Sequence, residues 1–153
     1  MNQSIRTSVL PTISKDDLRA WTSVVRTYQL CSDMLISRLK PLDLTLPLFE
    51  ILVSLLGTPN QTQQQLVDRS FVVKSHISGL LANMEERGWI KREAGEIDKR
   101  SKVVTLTAKG ITLAKKAATI QIEVVSAMIT PLSQKQIHDM ETTMRTVAAA
   151  LEA

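Results

Sequence analysis

Apolar residues follow helical spacing through most of this 153-residue chain, and one short region in the middle departs from it. From Leu18 to Leu39, apolar side chains recur at intervals of three, four and seven residues, as on one face of a long helix. Lys102 to Leu106 instead has the Val-Val-Thr-Leu composition of a strand, and a short segment from Trp89 to Glu93 precedes it. The spacing therefore predicts a mainly α protein with one small β-hairpin.

Composition limits the class of protein. A hydrophobic fraction of 44% with 22% charged residues is typical of a globular domain and excludes disorder as the default state. The longest apolar stretch, Pro47 to Leu56, contains Glu50 and is too short to cross a bilayer, so we expect no membrane partner. A single Cys excludes a disulfide framework and indicates a reducing compartment, and no signal peptide is visible. We therefore expect a cytoplasmic protein.

The distribution of charge is more informative than its total of +4. Residues 60–110 carry nine Lys and Arg against six Asp and Glu, which is most of the excess. A basic segment inside a folded domain indicates a polyanionic partner. Only five aromatic residues are present, which argues against base stacking on single strands and leaves duplex DNA as the expected partner.

Residues typical of helix ends divide the chain into successive helices. A Ser or Thr followed three residues later by an acid or amide side chain forms a capping box, whereas glycine or proline ends a helix. The capping pairs are Ser14–Asp17, Thr62–Gln65 and Ser133–Gln136, Thr107 is a further cap, and the helix ends are marked by Pro41, Gly57, Gly88 and Pro131.

Two short helices close together in the middle of the chain match a helix-turn-helix. The second has an apolar face formed by Ile77, Leu80, Leu81 and Met84. A rotation of about 100° per residue turns small or hydrogen-bonding side chains outward, as an approach to a DNA major groove requires. The candidate DNA-binding residues on this helix are Lys74, Ser75, His76, Ser78, Gly79 and Asn83. An ordinary solvent-exposed helix has similar residues, so this face alone does not decide the function.

The hairpin that follows has the charge expected of a DNA-binding wing. Lys91 and Arg92 lie on its first strand. The candidate DNA-binding residues at its tip and return are Asp98, Lys99, Arg100 and Lys102. Exposed cations at such a tip suit the phosphate backbone or a minor groove, and a solvated charge run is the alternative interpretation.

Four separate segments, in this order, resemble the MarR-type winged-helix regulators. They are Leu44-Thr-Leu-Pro47, Leu80-Leu-Ala-Asn-Met-Glu-Glu-Arg-Gly88, Asp98-Lys-Arg100 and Leu106-Thr-Ala-Lys-Gly110. The resemblance implies a homodimeric transcription factor whose terminal helices form the dimer and whose winged domains each read a half-site. It also implies that Asp98 orients Arg100 toward DNA through a salt bridge, and that a small anionic or aromatic effector releases the protein.

The recognition helix departs from the family at several positions. Val73 stands where the family usually has a capping Ser, which predicts a helix start that is weaker by roughly 1 kcal/mol. Phe71 replaces a common Gly, His76 a common Thr, and Gly79 a frequent Arg. Loss of that Arg removes a DNA contact and alters the expected operator preference.

The first long helix carries two further candidates. Trp21, Tyr28 and Met34 are candidates for the lining of an effector pocket, and a core stripe is the alternative interpretation. Cys31 is expected to be a buried structural residue, with an oxidation sensor as the alternative. We expect no metal, no cofactor and no catalytic residue, because His76 and His138 lack ligand spacing and no nucleophile pattern is present.

Together these patterns predict a winged helix-turn-helix domain over residues 41–110, between dimerisation helices in residues 1–40 and 111–153. We expect a homodimeric repressor that binds duplex DNA at an imperfect palindrome. The alternatives are a helical protein-interaction module, a redox-sensing regulator acting through Cys31, and a small enzyme with a pocket between helices.

Overall fold

A computed structural model describes residues 13–70, 72–95 and 102–152 of the chain. The described residues are mainly helical and contain one small antiparallel sheet, which confirms the predicted fold class. The helices are α1 (Lys15–Leu39), α2 (Leu46–Gly57), α3 (Gln63–Arg69), α4 (Lys74–Glu86), α5 (Ala108–Ile129) and α6 (Gln134–Glu152). The strands are β1 (Gln61–Thr62), β2 (Ile90–Ala94) and β3 (Lys102–Leu106), and a 3-10 turn occupies Lys40–Leu42.

The capping boxes at the starts of α1 and α3 are confirmed. Asp17 N donates to Ser14 Oγ over 3.1 Å, and Ser14 N donates to the Asp17 carboxylate over 2.8 Å. The Ser14 hydroxyl, which donates to the Asp17 carboxylate over 2.7 Å, and the Ser14 backbone N–H hold the pKa of the Asp17 carboxyl below its usual value. Thr62 and Gln65 make the same reciprocal pair at α3. Local chemistry thus determines where these helices begin.

Helix α2 is the centre of the core, as its apolar composition predicts. It begins with Pro in the first turn, where a missing N–H costs nothing. Its buried residues are Leu48, Phe49, Ile51, Leu52 and Leu55, and they pack with α5 and with the inner faces of α3 and α4. On α5, small Ala114 and Ala117 face this core and are fully buried.

The predicted hairpin is confirmed, and β1 adds a strand that the sequence pattern did not predict. Strands β2 and β3 pair from Ile90↔Leu106 to Ala94↔Lys102. The two residues of β1 pair with the other edge of β3, giving the strand order β1-β3-β2. Gln61 of β1 is buried and donates its side-chain amide to Ser54 O and Thr58 O over 2.9 and 2.6 Å. The sheet is therefore attached to the end of α2.

Two glycines allow the close junction between the sheet and the helices. Gly88 adopts φ 70° after α4, a conformation that glycine adopts without steric cost. A Cβ at Gly110 would lie 1.9 Å from the carbonyl oxygen of Trp89, so any side chain there would force α5 away from β2. Thr107 completes the junction by capping α5 and donating its hydroxyl to Gly88 O over 2.7 Å.

The terminal helices leave much of their apolar surface exposed. Of the predicted stripe from Leu18 to Leu39, Leu39 is buried, whereas Trp21 and Tyr28 are 67% and 68% exposed. Helix α6 has no buried residue among those described, although Met140, Met144, Val147 and Leu151 form an apolar stripe. One chain therefore does not bury the apolar faces of its own terminal helices.

Candidate nucleic-acid interface

Helix α4 presents one apolar and one polar face, as predicted. Ile77, Leu81 and Met84 are fully buried and fix the helix on the core. The candidate DNA-binding residues Lys74, Ser75, His76, Ser78 and Gly79 are all exposed, and Asn83 is half-buried beside them. A Cβ at Gly79 would meet no atom within 4 Å, so this part of the helix surface is open to close approach. The sequence-predicted residues thus lie together on one accessible face.

The start of α4 lacks a side-chain cap, as Val73 predicts. Val73 is the N-cap residue, makes no side-chain hydrogen bond to the helix and is 60% exposed. The first turn is closed by His76 N donating to Val73 O over 2.9 Å. The neighbouring Phe71 lies outside the described residues.

A side-chain hydrogen bond joins α3 to the polar face of α4. Gln63 Nε2 donates to Ser78 Oγ over 2.9 Å. Because the Ser78 oxygen accepts this bond, its own hydroxyl proton remains free to donate to an acceptor such as a guanine O6 or a purine N7. Gln63 is not among the residues predicted from the sequence. Its contact with Ser78 depends on the angle between α3 and α4, and no pattern of neighbouring residues predicts that angle.

Both strands of the wing carry exposed cations. Lys91 is exposed on β2 and pairs with Thr105, and Lys102 is exposed at the first position of β3. Of the predicted wing residues, Asp98, Lys99 and Arg100 lie outside the described residues. Lys102 is therefore the predicted wing residue whose position is established.

Arg92, on the first strand of the wing, points to α4 and is engaged there. Its Nε donates to Glu85 Oε2 over 2.8 Å, and its Nη2 contacts the same carboxylate oxygen. The Arg92 and Glu85 side chains keep 24% and 39% of their exposure. The hydrogen bond from Arg92 holds the pKa of the Glu85 carboxyl below its usual value; partial burial opposes this, and attraction to Arg92 and Lys102 adds to it.

A second ion pair attaches the end of α4 to the turn before α2. Arg87 Nη1 contacts the Asp43 carboxylate over 2.8 Å, and its guanidinium lies 4.8 Å from the ring centre of Trp89. Lys109 of α5 donates to Arg87 O over 2.8 Å. These contacts fix the recognition helix relative to α1, α2 and α5.

Two adjacent cavities lie where α1 meets α5, and the deeper one also reaches α2. A cavity of about 400 Å³ is lined by Tyr28 and Cys31 together with Phe49, Glu50 and Val124. Its neighbour, about 240 Å³, is lined by Cys31 and Met34. Cys31 is half-buried between them, and Trp21 lies outside both. The structure thus brings together Tyr28, Cys31 and Met34, but not Trp21.

The described part of the chain contains no group of three or more His, Cys, Asp and Glu side chains able to hold a metal ion. None of its helices combines the length and apolar character needed to span a membrane.

A capped helix, a second helix across a tight link and an antiparallel hairpin define a winged helix-turn-helix protein. Residues 44–102 match the model of the MarR family, and these residues include α2 to β2 and the start of β3. Over these residues the chain is similar to the MarR family.

Known proteins resemble this chain in sequence over part of their length and in fold over most of it. The transcriptional regulator HosA of Escherichia coli is 35% identical over 68 residues, which are 44% of this chain and 50% of HosA. The chain thus matches such curated relatives over about half of their length. AbsC, a MarR family transcriptional regulator from Streptomyces coelicolor, has a TM-score of 0.84 at 23% identity, covering 94% of this chain and 99% of AbsC. Sco3205 from the same organism, solved in complex with DNA, has a TM-score of 0.82 at 24% identity, covering 92% and 94%.

Proposed function

We propose that this protein is a non-enzymatic, sequence-specific regulator of transcription that binds double-stranded DNA. The observation that carries the proposal is the exposed polar face of α4, which is followed by a wing with exposed lysines on both of its strands. A helix fixed on one side by a buried apolar face and open on the other has the geometry that major-groove reading requires.

The side chains on that face have complementary roles in the proposed complex. Lys74 at the start of α4 contacts phosphate, and Ser75 and Gly79 allow the backbone to come close to the bases. His76, Ser78 and Asn83 supply the hydrogen bonds that distinguish base edges. Ser78 acts as a donor, because its oxygen accepts from Gln63 and its hydroxyl proton is not used in that bond.

The wing supplies sequence-independent affinity. Lys102 lies at the end of β3 next to the tip of the hairpin, where a cation contacts the phosphates beside the groove that α4 enters. For Asp98, Lys99 and Arg100 at the tip, we propose the role implied by the family resemblance, with Asp98 orienting Arg100 toward a minor groove.

We further propose that the protein acts as a homodimer. Its support is the exposed apolar surface of α1 and α6, which a second copy would bury. In this proposal residues 1–40 and 111–153 form the dimer and residues 41–110 bind DNA. Two-fold symmetry places the recognition helices about one turn of DNA apart, roughly 34–36 Å, so the operator is an imperfect palindrome.

The sign of regulation and its control are part of the same proposal. A dimer lying across a promoter in the cytoplasm blocks access to it, so we propose repression. We propose that a small anionic or aromatic effector releases the DNA, and the cavity beside Tyr28 and Cys31 gives such a ligand a place between α1, α2 and α5. A redox-sensing regulator acting through the half-buried Cys31 is the second candidate.

Selection of genomic DNA fragments on the purified protein tests the proposal. We expect enrichment of a few fragments that share a pseudo-palindrome, and affinities that fall steeply as salt rises. Retention of no DNA at low salt would contradict DNA binding and favour a helical protein-interaction module.

A further inference from the structure

The wing hairpin is attached to the recognition helix by an ion pair at the point where the two diverge. Glu85 lies in the last turn of α4, and Arg92 is the middle residue of β2. Two nitrogens of one guanidinium contact a single carboxylate oxygen, which restricts both side chains. Opposite Arg92 in the sheet stands Val104, which is fully buried. The ion pair therefore joins the end of α4 to the middle rung of the wing.

The two charges of this ion pair lie beside the surface that we propose to bind DNA, so each of them affects the binding of phosphates. Glu85 is a carboxylate near the base of a surface that we propose to bind DNA, where an unneutralised negative charge repels phosphates. Arg92 neutralises it, and Lys102 is close enough to attract it. Arg92 also belongs to the strand face that points to α4, whereas its neighbours Lys91 and Glu93 are exposed.

We propose that Glu85 and Arg92 are positioning residues: their ion pair fixes the wing at one angle to α4, so that the helix and the wing engage DNA together. This inference rests on the proposed DNA binding. Arg92, although it is a cation on the wing, makes no contact with DNA in this arrangement.

Two roles are possible for Arg92, binding phosphate directly or positioning the wing. They predict opposite changes in DNA affinity when Glu85 is neutralised. If Arg92 bound phosphate directly, Glu85→Gln would free it and remove a repulsive charge, so DNA binding would tighten. If the pair sets the angle of the wing, Glu85→Gln weakens binding although a negative charge has been removed. The sign of one change in affinity therefore separates the two roles.

The experiment measures the affinity of the full-length protein for its selected operator at several salt concentrations. Wild type, Glu85→Gln, Arg92→Gln and the exchanged variant E85R/R92E are compared. We expect each single variant to bind about tenfold more weakly, with a slope of log affinity against log salt that is unchanged. We expect the exchanged variant to recover most of the loss, because it restores an ion pair at the same place.

A matched control separates positioning from a general loss of stability. Arg38 of α1 pairs with Glu123 of α5 over 2.5 Å, far along the chain from α4 and the wing. Arg38→Gln breaks an ion pair by the same substitution. Because Arg38 and Glu123 lie in the proposed dimer helices, sedimentation first establishes that this variant is still a dimer, and its operator affinity is then expected to stay within about twofold of wild type. Thermal unfolding of each variant establishes that the fold is intact, and if Arg92→Gln is unfolded, Glu85→Gln and the exchanged variant give the answer.

Provided that wild type binds DNA, three results overturn the inference. The first is operator binding by Glu85→Gln that is equal to or tighter than that of wild type, and the second is a salt slope lowered by about one in Arg92→Gln. The third is a loss of operator affinity in Arg92→Gln no larger than the loss in Arg38→Gln. Failure of wild type to bind any duplex overturns the proposed function itself.

Discussion

The winged domain and the terminal helices differ in how far each buries its own apolar residues. In the winged domain, α4 hides Ile77, Leu81 and Met84 completely, and its polar residues remain outside. In α6 an equally regular stripe stays exposed, and Leu151 keeps 83% of its exposure. Both regions have the periodicity of an amphipathic helix. The comparison shows that periodicity identifies an apolar face, whereas burial depends on whether the same chain supplies the partner.

The largest expected effect comes from removing a core side chain in the winged domain. Leu81→Ala should lower the free energy of unfolding by about 2–5 kcal/mol, because it leaves a cavity at a fully buried position. Leu151→Ala is the matched control on α6; measured on the monomer, where Leu151 keeps 83% of its exposure, it should change the free energy of unfolding by no more than about 0.5 kcal/mol. Chemical denaturation followed by circular dichroism measures both. Equal losses would contradict the distinction between the two regions.

The next prediction concerns the exposed stripe of α6. Met144→Glu introduces a charge into the proposed dimer interface and should raise the dimer dissociation constant about a hundredfold, while leaving the winged domain folded. Thr142→Glu adds the same charge to another face of the helix and should have little effect. Sedimentation at several protein concentrations measures the dissociation constant. A monomeric wild type, or equal effects of the two variants, would be evidence against this interface.

A smaller effect on the free energy of unfolding is expected at the start of α4, where the side-chain cap is missing. Val73→Ser supplies the missing cap and should raise the free energy of unfolding by roughly 1 kcal/mol relative to Val73→Ala. Thermal or chemical denaturation of the two variants measures the difference. If Ser and Ala at this position give the same stability, a missing cap does not weaken the recognition helix.

The smallest effect is the pH dependence of the Glu85–Arg92 pair. Arg92 keeps the folded-state pKa of Glu85 below its unfolded value, so the pair stabilises the fold above that range and loses its effect as pH falls through it. Glu85→Gln should therefore melt below wild type at about pH 7, and the two melting temperatures should converge as pH falls below the folded-state pKa of Glu85. A difference that persists at the lower pH would show that the charge of Glu85 is not the cause.

Features set by neighbouring residues could be predicted from the sequence, and those set by distant contacts could not. Ser14, Thr62 and Thr107 cap helices through bonds to residues three positions away, so their patterns were sufficient. The buried and exposed faces of α4 followed from its periodicity in the same way.

The contacts between elements needed the fold. Strand β1 has two residues, too few for a pattern, and forms because β3 lies beside it. Arg92 is a cation on the wing, which from sequence alone is typical of a DNA contact. Its ion pair with Glu85 depends on the direction in which β2 leaves the end of α4. Gln63 donates a hydrogen bond to Ser78 because the angle between α3 and α4 brings the two side chains together. Asp98, Lys99 and Arg100 stay predictions, since they lie outside the described residues.

We propose that α4 and the wing together recognise a specific sequence in duplex DNA. A binding titration tests this recognition most directly. The affinity of the full-length protein is measured for its selected operator and for a scrambled duplex of equal length, over a range of salt concentrations. We predict that the operator binds about a thousandfold tighter or more, and that both affinities fall steeply with salt. Equal affinity for the two duplexes, or binding that salt leaves unchanged, would contradict the account.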